Sequence, residues 1–280
     1  MKTILIPVDF SDESEKALSV GAMIAKRISG KLVLTHMADL KNNSLLTGIG
    51  DAITKKSTYS KLAAKRFDDF IKKNLLNDVL VEPLIQHHID FKSISELADD
   101  ISADLIVMGT KGAETKEEGN TGSNTEKVVR SSKVPVLVVK KNELNFSSKT
   151  ILFVSDFNEE SVDAYKRVMS IADMLQAKLN FLYINLPGKS FKSTRQMDDI
   201  LYAFFSKAQH PDPVGAIKTV NRIADFSIKD GVYNFSHLYA ADIIAIPTHG
   251  IKGNKSDVFH ESISEDIANN SIIPVLTLRI

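Results

Sequence analysis

The sequence contains no cysteine, and it has no excess of charge of either sign. The absence of cysteine excludes disulfide bonds, thiolate catalysis and metal sites built on cysteine ligands. Lys and Arg number 35, which equals the 35 Asp and Glu. Because no global electric field then attracts a polyanion, nucleic acid is not an expected partner.

Long apolar runs are also lacking. No uninterrupted apolar segment approaches the roughly 20 residues that a membrane-spanning helix needs. The apolar run in the opening MKTILIPVDFSDESEK is too short for the core of a signal peptide. These absences predict a cytoplasmic protein without a membrane partner. What remains is 43% hydrophobic and 25% charged over 280 residues, which is typical of a globular chain with one large domain or two ordinary ones.

The chain contains one sequence pattern twice. ILIPVDFSDESEKAL, from Ile4, aligns with ILFVSDFNEESVDAY, from Ile151, at an offset of 147 residues. ADLIVMGTKG aligns with ADIIAIPTHG at an offset of 138, and KVPVLVV aligns with IIPVLTL at an offset of 139. Three matches in the same order indicate two copies of one domain, the second of which has lost residues in its middle. We therefore predict domains at 1–142 and 148–280, joined by a polar connector.

Strand and helix patterns alternate within each copy. In the first copy, apolar runs rich in β-branched residues predict strands at 3–8, 31–36, 78–88, 104–108 and 134–139. Amphipathic patterns predict helices at 11–29, 52–76, 91–101 and 123–131, with Ser11 or Asp12 as the first N-cap and Gly30 as the helix stop. Almost continuously apolar strands are typical of a parallel sheet covered on both faces. The alternation predicts an α/β fold of two tandem, doubly wound parallel-sheet domains.

A glycine-rich loop follows the fourth predicted strand of the first copy, in the pattern Gly109-x2-Gly112-x9-Gly122-Ser123. Glycines without a Cβ let the backbone turn sharply and approach a ligand closely. Gly122 and Ser123 open a predicted helix, whose free N–H groups and positive dipole end favour a phosphate. Asp9, at the end of the first strand, would face the same pocket, where a carboxylate can bind ribose hydroxyls or a phosphate-bound Mg²⁺.

With Asp9 and the final run VPVLVV, this glycine pattern resembles the universal stress protein family, and the resemblance covers both halves. It implies an adenine-nucleotide α-hydrolase-like fold that binds ATP or AMP. The implied adenine and ribose residues are Pro7, Asp9, Met37 (mainly through its backbone), Met108 and Gly109, and the implied phosphate residues are Gly112, Gly122, Ser123 and Asn124. The resemblance also implies that the final strands of the two halves pair, so that the halves pack as a pseudo-dimer.

The nine-residue spacer AETKEEGNT leaves the form of the nucleotide open. It carries Glu114, Glu117 and Glu118 against a single Lys116. If these acids point inward, their charge disfavours a triphosphate and favours AMP or a Mg²⁺-dependent mode. If the spacer is a flap, the acids are solvated and do not discriminate.

The second copy departs from the glycine pattern. Pro247 stands where the first glycine is expected, and Gly250 keeps the second position. With a shift of one residue, Glu261 occupies the third glycine position. A carboxylate at a helix N-terminus competes with phosphate for the same N–H groups and repels it. We therefore expect the second half to have lost nucleotide binding and to act as an internal partner of the first.

Other patterns in the chain carry less weight. PGKS, at 187–190, ends like a P-loop, but Tyr183 stands at the first glycine position of that motif. His36 is expected in the core, while His249 and His260 near Glu261 and Asp156 form a minor metal-site hypothesis. The aromatic helix within 191–213 is expected to pack on its own sheet.

No nucleophile with its own base is evident, so no catalytic residue is predicted. Together with the resemblance, the sequence implies a cytoplasmic stress-response protein that acts as a nucleotide-dependent regulatory or interaction module. Its predicted partners are an adenine nucleotide and an unidentified protein, and further homo-oligomers of the pseudo-dimeric chain stay open. A weak ATPase or nucleotidyl-transfer enzyme is one alternative, and a ligand-free scaffold with relic pockets is another.

Overall fold

The structure, a computed structural model, describes residues 1–38, 52–73, 76, 78–87, 92–110, 124–140, 146–248 and 261–280. The strands are β1 Thr3–Val8, β2 Lys31–Ala38, β3 Leu80–His87, β4 Leu105–Thr110, β5 Val136–Lys140, β6 Thr150–Val154, β7 Lys178–Asn185, β8 Val220–Ala224, β9 Ile243–Thr248 and β10 Val275–Arg279. The helices are α1 Asp12–Ile28, α2 Ala52–Lys73, α3 Lys92–Asp100, α4 Asn124–Ser131, α5 Val162–Leu175, α6 Thr194–Lys207, α7 Pro213–Thr219, α8 Ile228–Leu238 and α9 Glu261–Asn270.

The ten strands of the described ranges form one sheet, in the order β3-β2-β1-β4-β5-β10-β9-β6-β7-β8. The strands of each half pair in parallel, and only the join between β5 and β10 is antiparallel. Helices cover both faces. Helices α1, α2, α5, α6 and α7 supply the core on one face, and α3, α4, α8 and α9 supply the core on the other. The predicted α/β class with two doubly wound parallel halves is confirmed.

The two halves meet around a pseudo-two-fold axis at the centre of the sheet. Leu137 of β5 lies opposite Leu276 of β10, which is its own counterpart in the repeat. Both leucines are buried. Because each half presents the same edge to the other, the join has the self-complementary form of a C2 dimer interface within one chain. The predicted pairing of the two final strands is confirmed.

Two cations fasten this join from opposite sides. The Lys140 ammonium, at the end of β5, donates to the carbonyl oxygen of Ala268 in the last turn of α9. Its counterpart Arg279, at the end of β10, donates from a guanidinium nitrogen to the carbonyl of Ser131, 2.8 Å away at the end of α4. Each half thus supplies a cation to a helix C-terminus of the other half, where carbonyls lack partners and the helix dipole is negative.

Details of the repeat recur in both halves. The Asp104 carboxylate accepts from the backbone N–H of Thr3 at 2.9 Å, and the Asp242 carboxylate accepts from that of Thr150 at 2.8 Å. Each aspartate precedes its half's fourth strand and ties that strand to the start of the first. This shared contact fixes the register on which the functional site depends.

We expect Asp242→Ala to destabilise the protein by about 2 kcal/mol, because three donors lose their acceptor. Asp242 Oδ2 accepts from the N–H groups of Lys149 and Thr150, at 2.9 and 2.8 Å, and from the Thr150 hydroxyl at 3.0 Å. Urea unfolding would measure the change. Asp173→Ala, on the exposed side of α5, is the control and should be nearly neutral. Equal effects of the two substitutions would contradict the anchoring role.

Helix α1 begins as predicted but ends differently. Ser11 is the N-cap, as one of the two predicted alternatives, because its hydroxyl accepts from the N–H of Ser14. The predicted stop at Gly30 is wrong, because Ser29 holds the left-handed conformation there, with φ of 50°. Gly30 has another constraint: a Cβ at this position would lie 2.9 Å from the carbonyl oxygen of Lys2.

Candidate functional site

The candidate site lies at a change in strand order. In the first half the order is β3-β2-β1-β4-β5, so the chain runs outward from β1 through β2 to β3 and then crosses to β4 on the other side of β1. In such sheets, ligands bind in the crevice outside the carboxyl ends of the two strands that flank this change. Pro7 and Asp9 lie at the end of β1, and Met108 and Gly109 lie at the end of β4. The structure therefore brings these four predicted residues together.

Asp9 is fixed by the turn between β1 and α1. Phe10 adopts a left-handed conformation, with φ of 62°, so the chain reverses directly after Asp9. Asp9 Oδ1 then accepts from both the N–H and the hydroxyl of Ser11, the N–H at 3.0 Å. Ser11 also caps α1, which links the carboxylate to the helix start.

The carboxyl group of Asp9 is ionised at neutral pH. Partial burial alone would raise its pKa, but hydrogen bonds from Ser11, with a smaller contribution from Ser14, outweigh burial and hold the pKa below its ordinary value. The residue is nevertheless exposed at the crevice. An exposed, pre-oriented carboxylate is suited to accept hydrogen bonds from ligand hydroxyls.

Gly109 lies inside β4 rather than in the loop after it, which corrects the predicted strand end at 108. The strand continues because Gly109 and Thr110 stay in parallel register with Val139 and Lys140 of β5. A Cβ on Gly109 would lie 2.1 Å from the carbonyl oxygen of Glu13 in α1. This contact gives Gly109 a packing role: only a glycine lets the start of α1 lie directly against β4.

The start of α4 is tied to the same strand end. The Thr125 hydroxyl, in the first turn of α4, donates to the carbonyl oxygen of Gly109 at 3.1 Å. Asn124 is the first residue of α4, so the N-terminus of this helix is held next to the crevice. Free N–H groups at a helix start, with the positive end of the dipole, attract anions.

Some of the predicted site residues lie outside the described residues, and others are placed by their backbone alone. Gly112, Gly122 and Ser123, together with the acidic spacer, fall in 111–123, outside the described residues. Met37 is described through its backbone, which pairs with Gln86 of β3 near the carboxyl end of β2. Asn124 is likewise placed by its backbone alone.

An aromatic cluster beside Asp9 was missed by sequence reasoning. The ring centroid of Phe10 lies 4.6 Å from that of His36, and 5.4 Å from those of Phe67 and Phe70. His36 Nδ1 donates to the carbonyl of Val8 at 2.8 Å, so the ring is satisfied as expected, although His36 is half-buried rather than part of the core. The signal available in the sequence was the repeated Asp-Phe pair, since Phe157 takes the same left-handed conformation in the second half.

His36 is neutral at pH 7. Burial lowers the pKa of His36 most and outweighs the hydrogen bond to the carbonyl of Val8, which raises it; the positive charge of Arg66 lowers the pKa and the charge of Asp9 raises it by smaller amounts. The hydrogen bond from Nδ1 to the carbonyl of Val8 fixes the neutral ring of His36. The ring then holds Phe10 through packing, not through an interaction of its charge. The cluster therefore supports the turn that orients Asp9.

The second half repeats the frame of this site without its glycine. Pro247 of β9 stands at the position of Gly109, and its carbonyl accepts from the Ser264 hydroxyl at 3.0 Å. This bond corresponds to the one from Thr125 to Gly109, so Ser264 is the counterpart of Thr125. The match agrees with the one-residue shift in the alignment and places Glu261, the first residue of α9, at the position of Gly122.

Within the described part of the chain, no group of three or more His, Cys, Asp or Glu side chains could hold a metal ion. His249 and His260 lie outside that part. None of the helices in the described ranges is long and apolar enough to cross a membrane. In the aromatic helix α6, Phe204 and Phe205 are buried as predicted, and Tyr202 points outward.

Known proteins similar to this chain share both its sequence pattern and its fold. A sequence model of the universal stress protein family matches residues 1–140. A universal stress protein of Staphylococcus saprophyticus is 34% identical over 151 aligned residues, which cover 51% of this chain and 86% of that protein. A crystal structure of a universal stress protein from Archaeoglobus fulgidus has a TM-score of 0.70 at 18% identity and covers 99% of this chain and 98% of that chain.

A further crystal structure, of a universal stress protein in complex with cAMP, is 26% identical, with a TM-score of 0.36, and covers 50% of this chain and 98% of that chain. The Archaeoglobus fulgidus protein differs from it in matching along the full length. At 18% identity that match concerns the fold alone, and it extends the fold similarity over both halves of the sheet.

Proposed function

Because this chain belongs to the universal stress protein family, we propose that it is a stress-response protein that binds ATP or AMP in a first domain, residues 1–142. The observation that carries the proposal is the crevice between β1 and β4, where an ionised carboxylate follows the end of β1 and a helix N-terminus is held at the end of β4. A nucleotide needs both features, because its ribose offers hydroxyl donors and its phosphates need N–H groups.

Each described residue has a task in this proposal. Asp9 accepts from the ribose hydroxyls, or holds a Mg²⁺ bound to the phosphates. Pro7, Met108 and the backbone of Met37 provide the surface for the base and the sugar. Gly109 keeps the crevice open by letting α1 lie against β4, and α4 presents its N-terminus from Asn124 onward.

The second domain, residues 148–280, serves as a permanent partner rather than a second nucleotide site. Asp156 persists there, but Pro247 and Glu261 replace two of the glycines. A glutamate that opens α9 would place negative charge where phosphate binds at a helix start. The antiparallel join of β5 and β10 then gives one chain the arrangement of a dimer, with one live site.

The proposed output is a change of surface. Nucleotide bound at the crevice would order segment 112–122, and a protein partner in the cytoplasm would recognise the ordered form. Limited proteolysis tests this step: saturating AMP should slow cleavage within 112–122. Unchanged cleavage in nucleotide-saturated protein would refute the switch while leaving the binding proposal intact.

We expect a titration with AMP or ATP, with and without Mg²⁺, to show one nucleotide per chain. Native mass spectrometry gives the stoichiometry and calorimetry gives the affinity. Asp9→Ala should weaken binding at least about tenfold, because the ribose loses a charged acceptor. Gly122→Glu, which copies the second half, should abolish binding by placing a carboxylate at the start of α4.

Asp156→Ala is the matched control, since it makes the same change at the corresponding position of the second half. Its nucleotide affinity should equal that of the wild type. Two nucleotides per chain would show that the second site is live, and no binding at millimolar nucleotide would leave the scaffold alternative. Phosphate release above the Gly122→Glu background would favour the weak ATPase instead.

A further inference from the structure

A cavity of about 490 Å³ opens at the carboxyl ends of β6 and β7 in the second half. Its volume falls within the roughly 300–1,000 Å³ that is usual for small-molecule sites. The turn after β6, the end of β7 with the loop that follows it, and one side of α6 form its walls. The first residue of α8, Ile228, also contributes to the lining.

Most of the lining is apolar. Tyr183 and Ile184 come from β7, Ile200 and Phe204 come from α6, and Ile228 is buried at the start of α8. Such a surface binds the ring or chain of an organic molecule because burying it removes apolar area from water. It offers little to an inorganic ion alone.

The acidic and the basic side chains that line the cavity differ in the partners they have. The Asp156 carboxylate accepts from the N–H and the side-chain amide of Asn158, at 3.3 and 3.2 Å, and Glu159 is paired with Lys207. Lys189 and Lys192 also line the cavity, and no acidic partner for either ammonium is found among the described residues. Hydrogen bonds do not cancel the charge of Asp156, so the two lysines, set against this one carboxylate, leave a single net positive charge that a ligand can neutralise.

The loop that carries these lysines is anchored. The Asn185 side chain, which is buried, donates to the carbonyl of Lys192 at 2.8 Å and accepts from its N–H at 2.9 Å. The turn at Gly188–Ser190 is closed by the N–H of Phe191, which donates to the carbonyl of Gly188. Gly188 has φ of 74°, a conformation that suits glycine. The lysines are thus presented on a loop held to β7 by two hydrogen bonds.

We propose that this cavity binds a small organic anion, with its ring or short chain against Ile200, Phe204 and Ile228 and its anionic group against Lys189 and Lys192. The cavity lies where the ribose end of the nucleotide frame recurs in the second half, since Asp156 corresponds to Asp9 and Ile184 to Met37, but it carries its cations at a different place from that frame. Its cations lie on the loop after β7, whereas the phosphate end of the nucleotide frame lies at β9 and α9, which Pro247 and Glu261 alter. The second half then contributes a binding activity of its own.

The test compares 1-naphthyl phosphate with neutral 1-naphthol, which share a ring and differ in charge. Naphthyl fluorescence polarisation reports binding, and the chain contains no tryptophan whose emission would overlap. The measurement uses an Asp9→Ala background, first without AMP and then with excess AMP, so that failure of the proposed nucleotide site does not affect it. The phosphate should bind at least about tenfold more tightly than the naphthol, with one molecule per chain.

Two variants and one control locate the site. Lys189→Gln combined with Lys192→Gln should remove the preference for the phosphate, and Ala203→Phe, which fills the α6 side of the cavity, should weaken both probes at least about tenfold. Lys166→Gln combined with Lys218→Gln changes the net charge equally at exposed positions and should leave binding unchanged. Equal affinity for the two probes, insensitivity to the cavity variants, or displacement by AMP in the Asp9→Ala background would each overturn the proposal.

Discussion

Gly109→Ala is expected to destabilise the protein by about 3 kcal/mol, at the upper end of what overpacking in a core usually costs. The added Cβ would lie 2.1 Å from the carbonyl oxygen of Glu13 and 2.6 Å from its carbonyl carbon. Both atoms belong to the backbone of α1, so no side-chain rotation relieves the clash. The helix must shift away from β4, and the crevice beside Asp9 changes with it. Urea unfolding would measure the loss.

Gly21→Ala is the matched control for this substitution. A Cβ on Gly21 would lie 2.4 Å from Cδ1 of Ile6, the far end of a side chain that can change its rotamer. Alanine also favours a helix interior by roughly 1 kcal/mol over glycine, which offsets the crowding. The control should therefore lie near neutrality. If Gly109→Ala is equally mild, the close contact between α1 and β4 is not what requires a glycine.

Sequence reasoning succeeded where one local rule decides the structure. The apolar run TILIPV, between a lysine and Asp9, predicted β1 at 3–8, which is its observed extent. The two-fold repeat predicted two halves of the same α/β type, and the predicted pairing of the final strands places the two halves side by side in one sheet. These features follow from periodicity and from duplication, which are both visible in one chain.

Sequence reasoning was wrong or incomplete where distant backbones meet. Gly30 looked like a helix stop, yet its constraint is the carbonyl of Lys2, and Ser29 takes the left-handed conformation. Gly109 looked like a loop residue, yet its constraint is the backbone of α1. A glycine pattern indicates that a Cβ is excluded, but it does not indicate whether a ligand or the protein itself excludes it.

The cavity in the second half escaped prediction for a related reason. The sequence PGKS ends like a P-loop but lacks the first glycine of that motif, so it carries no prediction of a binding site. The Gly188–Ser190 segment is an ordinary turn, but Asn185 holds the loop so that Lys189 and Lys192 face the cavity. The sequence signal was two lysines without neighbouring acids directly after an apolar strand.

The pseudo-two-fold axis places two different cations at equivalent positions of the join between the halves. Lys140 and Arg279 occupy equivalent positions and make equivalent bonds, yet they respond differently to pH. Burial lowers the pKa of Lys140 to about 8. Its side chain can therefore lose its proton in alkaline solution while the chain is folded, whereas a guanidinium keeps its proton throughout this range.

We expect the free energy of unfolding of the wild type, relative to Lys140→Met, to rise by about 1 kcal/mol between pH 7 and pH 9, and by about 2 to 3 kcal/mol by pH 10. The unfolded chain keeps the lysine proton up to its ordinary pKa of 10.5, while the folded chain releases it near 8. The unfolded state then binds more protons, so stability rises with pH in this window. Below pH 7 both states are protonated and the difference is constant.

The role of Lys140 is tested by the change with pH of the difference in free energy of unfolding between the wild type and Lys140→Met, rather than by the value of that difference at neutral pH. At pH 7, methionine removes a buried charge, which stabilises the fold, and leaves the carbonyl of Ala268 without its donor, which destabilises it. These effects oppose each other but do not titrate. Arg279→Met is the matched control, and its difference from the wild type should stay constant from pH 7 to pH 10. A flat profile for Lys140→Met as well would mean that the ammonium reaches water and is not enclosed by the join.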